Sequence, residues 1–208
     1  KNKVEELVVN YDAFDCTTFV ESVIAQAINE DSVDQEIRKM RYRNGFINGY
    51  ASRIHYFTEW IKENEKRGFI SNVTDSLSCA KPYDVNVYYM SQFKKKYPLI
   101  TNDSILKEIK KMESYVSETT LNYIPKTQLN RCDSIIRNGD IIAITTNKKG
   151  LDLSHLGFAF WKEGNLHMIH ASSDYKKVVI TENTLLNYLM RNKAQTGIVV
   201  LRLKHKSF

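Results

Sequence analysis

Ser154-His155-Leu156-Gly157-Phe158-Ala159-Phe160-Trp161-Lys162-Glu163-Gly164-Asn165-Leu166-His167-Met168-Ile169-His170-Ala171-Ser172 holds two apolar, β-prone runs around a short polar centre. Such an order reads as an antiparallel hairpin. With Glu163-Gly164 as a two-residue loop, Gly157 opposes His170 and His155 opposes Ser172. Opposed residues share a face, and side chains alternate along each strand. His155 and His170 then lie on one face as diagonal neighbours, with His167 on the other. A slip of one residue would put His155 and His170 on opposite faces.

Working outward, Gly139 to Thr146 reads as a turn and a strand, residues 177 to 181 as a strand, Glu182 to Arg191 as a helix and Gly197 to Leu203 as a final strand. The face shared by His155 and His170 is bare near His155, where it carries Gly157 and Ala159. Another element can pack closely there, and the candidate is an N-terminal helix. Asp15-Cys16-Thr17-Thr18 precedes apolar residues at 19, 20, 23, 24, 27 and 28, a helical period. Cys16 therefore lies at, or one turn inside, a helix N-terminus, where the helix dipole favours the thiolate. One reading is a buried core cysteine. The other is a nucleophile, with His155 as general base and acid and His170 orienting the His155 ring.

The stretch between these parts reads as mostly helical. Ser32-Val33-Asp34-Gln35 has the capping-box pattern and opens a helix to about Tyr42. Further helices are expected over Ser52–Lys66, Asp84–Lys95 and Asp103–Glu118, the last with Asp103 as its N-cap. Pro82, Pro98 and Pro125 punctuate the loops. Helices followed by antiparallel strands give an α+β fold.

Arg41-Tyr42-Arg43 and Tyr50 to Phe57 crowd arginines, tyrosines and a histidine together. Arginine can fork onto a carboxylate, and tyrosine can stack on a sugar ring. Arg53, His55 and Tyr56, followed by Tyr50, are the expected substrate-binding residues, with Ser154 and Asp152 flanking His155. The alternatives are structural: Arg53 paired with Glu59 or Glu63, and Asp152 closing the Gly150-Leu151-Asp152 turn.

Composition sets outer bounds. The chain has 208 residues, 42% apolar and 26% charged, as expected of a globular fold. No apolar run approaches the ~18 residues of a transmembrane helix. The net charge of +6 suits an anionic partner and equally a generic basic surface. Nucleic acid is not expected as a partner, because apart from Lys94-Lys95-Lys96 the basic residues are scattered. The histidines lack a zinc-ligand spacing, so neither metal nor cofactor is expected. Lys1-Asn2-Lys3-Val4 carries no apolar signal segment, as in a cytosolic protein or a mature exported one. Cys79 and Cys132 either pair in an oxidising compartment or stand as two separate thiols.

Asp15-Cys16-Thr17-Thr18-Phe19-Val20-Glu21, Arg41-Tyr42-Arg43 with Gly49 to Phe57, Tyr123-Ile124-Pro125-Lys126, Gly150 to His155 and His170-Ala171-Ser172-Ser173 occur in that order. Together, from about Phe14 to Leu203, they resemble the DUF1460 amidases, a branch of the NlpC/P60 papain-like superfamily. The resemblance implies a papain-like core, in which an N-terminal catalytic helix packs on an antiparallel sheet. It implies one catalytic domain over 1–208, with 31–130 a mostly helical insertion for substrate recognition. The implied enzyme is a bacterial cell-wall hydrolase. It cuts the amide between N-acetylmuramic acid, in free or 1,6-anhydro form, and L-alanine of small muropeptides. Its Cys-His-His triad maps onto Cys16, His155 and His170 and works through a thioester. Location in the periplasm or envelope, and a monomeric state, are further expectations. The alternatives are a γ-D-glutamyl-diamino acid endopeptidase with the same triad, an acyl transferase, or a non-catalytic peptidoglycan-binding module.

Overall fold

The computed structural model describes residues 4–204, so Lys1, Asn2 and Lys3 of the N-terminal reading lie outside it. The N-terminal half runs α1 (Cys16–Ile28), α2 (Val33–Arg41), α3 (Phe57–Lys66), β1 (Ile70–Asn72), β2 (Lys81–Tyr83), α4 (Tyr89–Gln92) and α5 (Asp103–Ser117). The remainder runs β3 (Leu121–Pro125), α6 (Leu129–Cys132), β4 (Ile141–Thr146), β5 (Leu153–Lys162), β6 (Asn165–Ser172), β7 (Lys177–Ile180), α7 (Leu185–Arg191) and β8 (Gln195–Leu203). The strands form one antiparallel sheet in the order β2-β3-β8-β4-β5-β6-β7, and β1 also pairs with β8. The architecture is α+β, with helices on both faces of the sheet.

The sheet sorts its apolar residues by alternation. On one face Ile141, Ala143, Val199 and Leu201 pack with Phe19, Val20 and Ile24 of α1 and Trp60 of α3. On the other, Ile142, Ile144, Ile198 and Val200 pack with Leu185 and Leu189 of α7. Every residue of β4 is buried, as expected of a central strand covered twice. Beside the helices, Arg41 pairs with Glu21 at 2.7 Å, and Trp60 donates to the same carboxylate, so that buried charge is matched.

The β5–β6 hairpin has the register read from the sequence. Phe158 pairs with Ile169 and Lys162 with Asn165, leaving Glu163-Gly164 as the loop. Both loop residues take positive φ, 51° and 75°, the type I′ pattern that matches strand twist.

Several expected boundaries differ. α3 starts at Phe57, not Ser52, because Tyr50–Ser52 is a separate 3₁₀ turn and Arg53 bridges to Tyr42 in extended conformation. The Asp84–Lys95 helix shrinks to α4 (Tyr89–Gln92). Val85 and Val87 are instead buried, and Val87 bridges to Gly150. Asn102, not Asp103, caps α5 by accepting from the Ile105 N–H. Ser32 makes no capping bond. The region expected to be mostly helical also contributes β1, β2 and β3. Each is short, and β8 or a neighbouring strand supplies its partner.

One packing expectation is overturned. α1 lies against the Leu156 and Phe158 face of β5, with the Phe19 and Phe158 rings 5.6 Å apart, and not against the Gly157 and Ala159 face. The room at Gly157 serves the neighbouring strand. A Cβ there would meet the Ile169 carbonyl oxygen at 2.5 Å, Met168 Cγ at 2.7 Å and His170 Cβ at 3.0 Å. α7 covers that face, placing Leu185 and Leu189 beside Ala159 and Met168.

Candidate active site

Cys16 opens α1. Asp15 caps the helix, accepting from the Thr18 N–H at 2.7 Å, while Thr18 Oγ1 accepts from the Asp15 N–H at 2.9 Å. This reciprocal box fixes the first turn and so the place of the half-buried thiol. Burial and the Asp15 carboxylate push the thiol up, and hydrogen bonds from Leu156 and Thr17 pull it back in part. The expected bias of a helix N-terminus toward thiolate is outweighed by desolvation.

His155 sits on a β-bulge. Ile144 pairs with His155 but Thr145 pairs with Leu153, so Ser154 is an extra residue in β5. Bulges redirect side chains and recur beside active sites. At this bulge His155 borders two clefts. One, of about 200 Å³, is shared with Cys16, His55, Phe57, Trp60 and Leu153. The other, of about 270 Å³, is shared with His170, Ser172, Asp174, Tyr188 and Gln195. Thus Cys16 and His155 line one cleft, and His155 and His170 line the other.

The two histidines are bonded, His155 Nε2 to His170 Nδ1 at 2.7 Å, leaving His155 Nδ1 for a second partner. Burial and the neighbouring His170 hold His155 down to about 4. Burial also lowers His170, and the Asp174 carboxylate opposes both shifts. The resting site therefore favours a neutral thiol beside a neutral imidazole. His167 is on the opposite face, where its Nδ1 meets the Thr181 carbonyl oxygen at 2.8 Å.

The expected substrate-binding residues divide. His55 lines the Cys16 cleft, with Nε2 bonded to the Tyr50 carbonyl oxygen at 3.0 Å, and burial holds it down to about 3. Tyr50 is not among the cleft-lining residues and packs its ring on His55 at 4.5 Å. Tyr56 borders the cleft, but its hydroxyl donates to Glu113 at 2.8 Å and accepts from the Met90 N–H. Arg53 is outside the lining and pairs with Glu5 at 2.7 Å, not with Glu59 or Glu63, which take Arg43 and Arg67. Ser154 borders both clefts, and its hydroxyl donates to the Ile144 carbonyl oxygen. Asp152 also lines the Cys16 cleft and accepts from the Thr58 N–H at 2.7 Å, anchoring the start of α3. The sequence reading missed Trp60 and Phe57 as cleft walls, stacked at 4.5 Å, and Tyr188, whose ring meets His170 at 5.6 Å. The helical period over 52–66 marks Phe57 and Trp60 as apolar-face residues but not what that face meets, and nothing in the sequence singled out Tyr188.

The fold matches that of amidase-like hydrolases. A crystal structure of an N-acetylmuramoyl-L-alanine amidase from Bacteroides uniformis is 38% identical, with TM-score 0.92 over 99% of this chain and 91% of that one. A Bacteroides fragilis structure provisionally described as a xylanase is also 38% identical, with TM-score 0.91 over 97% and 91%. Glycoside hydrolysis ordinarily needs two carboxyl groups across the bond. The Cys16 cleft offers Asp152, whose oxygens accept from the Thr58 and Leu153 N–H groups. A Legionella pneumophila protein matching the DUF1460 family model is 26% identical, with TM-score 0.69 over 93% and 77%. No curated protein matches the chain. The chain belongs to the AmiA-like family of N-acetylmuramoyl-L-alanine amidase-like proteins, whose model matches residues 1–198.

Proposed function

We propose that this protein is a cysteine-dependent N-acetylmuramoyl-L-alanine amidase of the papain-like NlpC/P60 type. It acts on muropeptides and works as a monomer in the bacterial periplasm or envelope. The observation that carries the reading is the 2.7 Å His155–His170 bond beside a cleft that His155 shares with Cys16.

In this mechanism His170 accepts the His155 Nε2–H at Nδ1 and so fixes the tautomer. His155 Nδ1 takes the thiol proton as sulfur attacks the lactyl carbonyl of the muramic acid. N–H groups near the start of α1 meet the oxyanion. His155 then protonates the departing amine of L-alanine. Water, activated by His155, hydrolyses the thioester and frees the sugar acid. His55, Trp60 and Phe57 form the wall that receives the acyl side.

The test uses anhydromuramoyl-L-alanyl-γ-D-glutamyl-diaminopimelate, with products identified by mass spectrometry. Release of the free sugar acid and the intact tripeptide is the expected result. Release of the sugar still carrying L-alanyl-D-glutamate would mean an endopeptidase and overturn the reading.

Two further outcomes are expected. His170→Ala lowers kcat by about a hundredfold, less than loss of the nucleophile, because an orienting group contributes less. Restored turnover in His170→Asn or His170→Gln separates orientation from collapse of the site. The second concerns pH. Catalysis requires neutral His155, and its neutral form persists down to about pH 4. The acid limb of kcat/KM is therefore expected near pH 4, well below the ordinary imidazole value of about 6.5. Circular dichroism at each pH distinguishes titration from unfolding, and a folded protein losing activity near pH 6.5 would contradict the neutral pair.

A further inference from the structure

We infer that Glu5 is a positioning residue for the Cys16 cleft: through its ion pair with Arg53 it holds the loop over residues 50–56, and so sets where His55 stands in the cleft wall. The inference rests on the amidase reading for its substrate and extends that reading to a segment outside the cleft.

Residues 5–11 precede α1 and form neither helix nor strand. Side chains fasten them to the body of the protein. The Tyr42 hydroxyl donates to Glu5 Oε1 at 2.7 Å, Arg41 donates to the Val8 carbonyl oxygen at 2.8 Å, and the Tyr11 hydroxyl donates to Asp34 at 2.6 Å. Glu5 is the buried point of this strap, 9% exposed where Val8 is 62% exposed. Arg53 Nε also donates to Glu5, at 2.8 Å, and its guanidinium lies 5.7 Å over the Tyr42 ring. A shielded ion pair loses much when one partner goes, because the other charge is left unmatched. The carboxylates nearest to Arg53 in sequence cannot stand in, since Glu59 and Glu63 already pair with Arg43 and Arg67.

Arg53 stands two residues before His55. The Tyr50 carbonyl oxygen accepts from the Arg53 N–H at 3.3 Å and from His55 Nε2 at 3.0 Å. A carbonyl only accepts, so neutral His55 carries its proton on Nε2 and keeps Nδ1 as an acceptor. His55 lines the cleft together with Cys16 and His155. The reacting groups are held by other means, Cys16 by the Asp15–Thr18 capping box and His155 by its bond to His170. Loosening the loop therefore disturbs the wall and not the chemistry. Other ties keep the loop folded: Arg43 donates to the Ala51 carbonyl oxygen, and the Ile54 N–H to the Arg41 carbonyl oxygen at 2.9 Å.

The experiment compares the wild type with Glu5→Ala, Glu5→Gln, Arg53→Ala and the Glu5→Ala, Arg53→Ala double variant on anhydromuramoyl-L-alanyl-γ-D-glutamyl-diaminopimelate, below each melting transition. Glu5→Ala should raise KM about tenfold and leave kcat within about twofold. Glu5→Gln keeps an oxygen that accepts from Tyr42 and Arg53, so it should recover most of the loss. The double variant should match the single ones, because the two residues act as a pair. ¹⁵N-histidine NMR gives a readout that needs no turnover. His55 should show the Nε2–H tautomer in the wild type and shifted signals in Glu5→Ala, while those of His167, bonded to the Thr181 carbonyl oxygen, stay in place. A folded Glu5→Ala protein with a lowered Tm but unchanged KM and unchanged His55 signals would leave Glu5 a purely structural role and overturn the inference. So would a loss confined to kcat. Should Glu5→Ala fail to fold, Arg53→Ala carries the same expectations. If the wild type frees no sugar acid, the amidase reading fails, and the His55 signals still decide whether Glu5 positions this loop.

Discussion

Cys16→Ala is expected to lower release of the sugar acid by at least about a thousandfold. A nucleophile cannot be replaced by the rest of its triad, and the residual rate reflects oxyanion stabilisation and binding alone. The fold should survive, because the thiol is half-buried at the first turn of α1 and the turn is held by Asp15 and Thr18. His155→Ala should fall to a similar level, since without its base the thiol stays protonated: burial and Asp15 push it up. The double variant should then be no slower than either single one, because the two groups act as a unit. Initial rates by mass spectrometry, with melting curves for each variant, decide the matter. A folded Cys16→Ala protein working at the wild-type rate would falsify the mechanism.

The parts of this site that were legible in the sequence are those governed by short-range rules. The hairpin register follows from alternation and a two-residue loop, and it alone places His155 beside His170. The start of α1 follows from Asp15, Thr18 and the apolar period after them. The face that α1 covers does not follow. Both faces of β5 could be covered, and bareness at Gly157 suggested the wrong one. What fills that space is Met168 and His170 from the adjacent strand. The bulge that lets His155 border both clefts is equally silent, because Ser154 becomes an extra residue only against β4. Distant partners were also out of reach. Arg53 finds Glu5 48 positions away, and Asp152 anchors Thr58 94 positions away. Such pairings are set by the assembled fold, so an arginine among tyrosines read as a binding group although its charge is already matched.

Reducing the Cys79–Cys132 disulfide is expected to lower stability strongly while sparing catalysis at 25 °C. The two residues are 53 positions apart, with Cα atoms 6.5 Å from each other. Closing a loop of that length removes unfolded-state entropy equivalent to about 4 kcal/mol. The bond ties the chain just before β2 to the end of α6, where Cys132 is buried among Leu129, Ile136 and Leu189. For a chain of this size a loss of that order should lower Tm by about 10 °C. Neither cysteine lines the Cys16 cleft, so kcat below the transition should hold in reductant, which also keeps the Cys16 thiol free. Melting curves with and without reductant, repeated on the Cys79→Ala, Cys132→Ala double variant, measure the effect. The variant should melt low in both conditions, showing that reductant acts through this bond. An unchanged Tm in the reduced wild type would mean that the cross-link adds nothing to the native state. A bond on which the fold depends to this extent suits an oxidising compartment and sits poorly with a reducing cytosol. The same measurement therefore bears on which kind of compartment the fold is suited to.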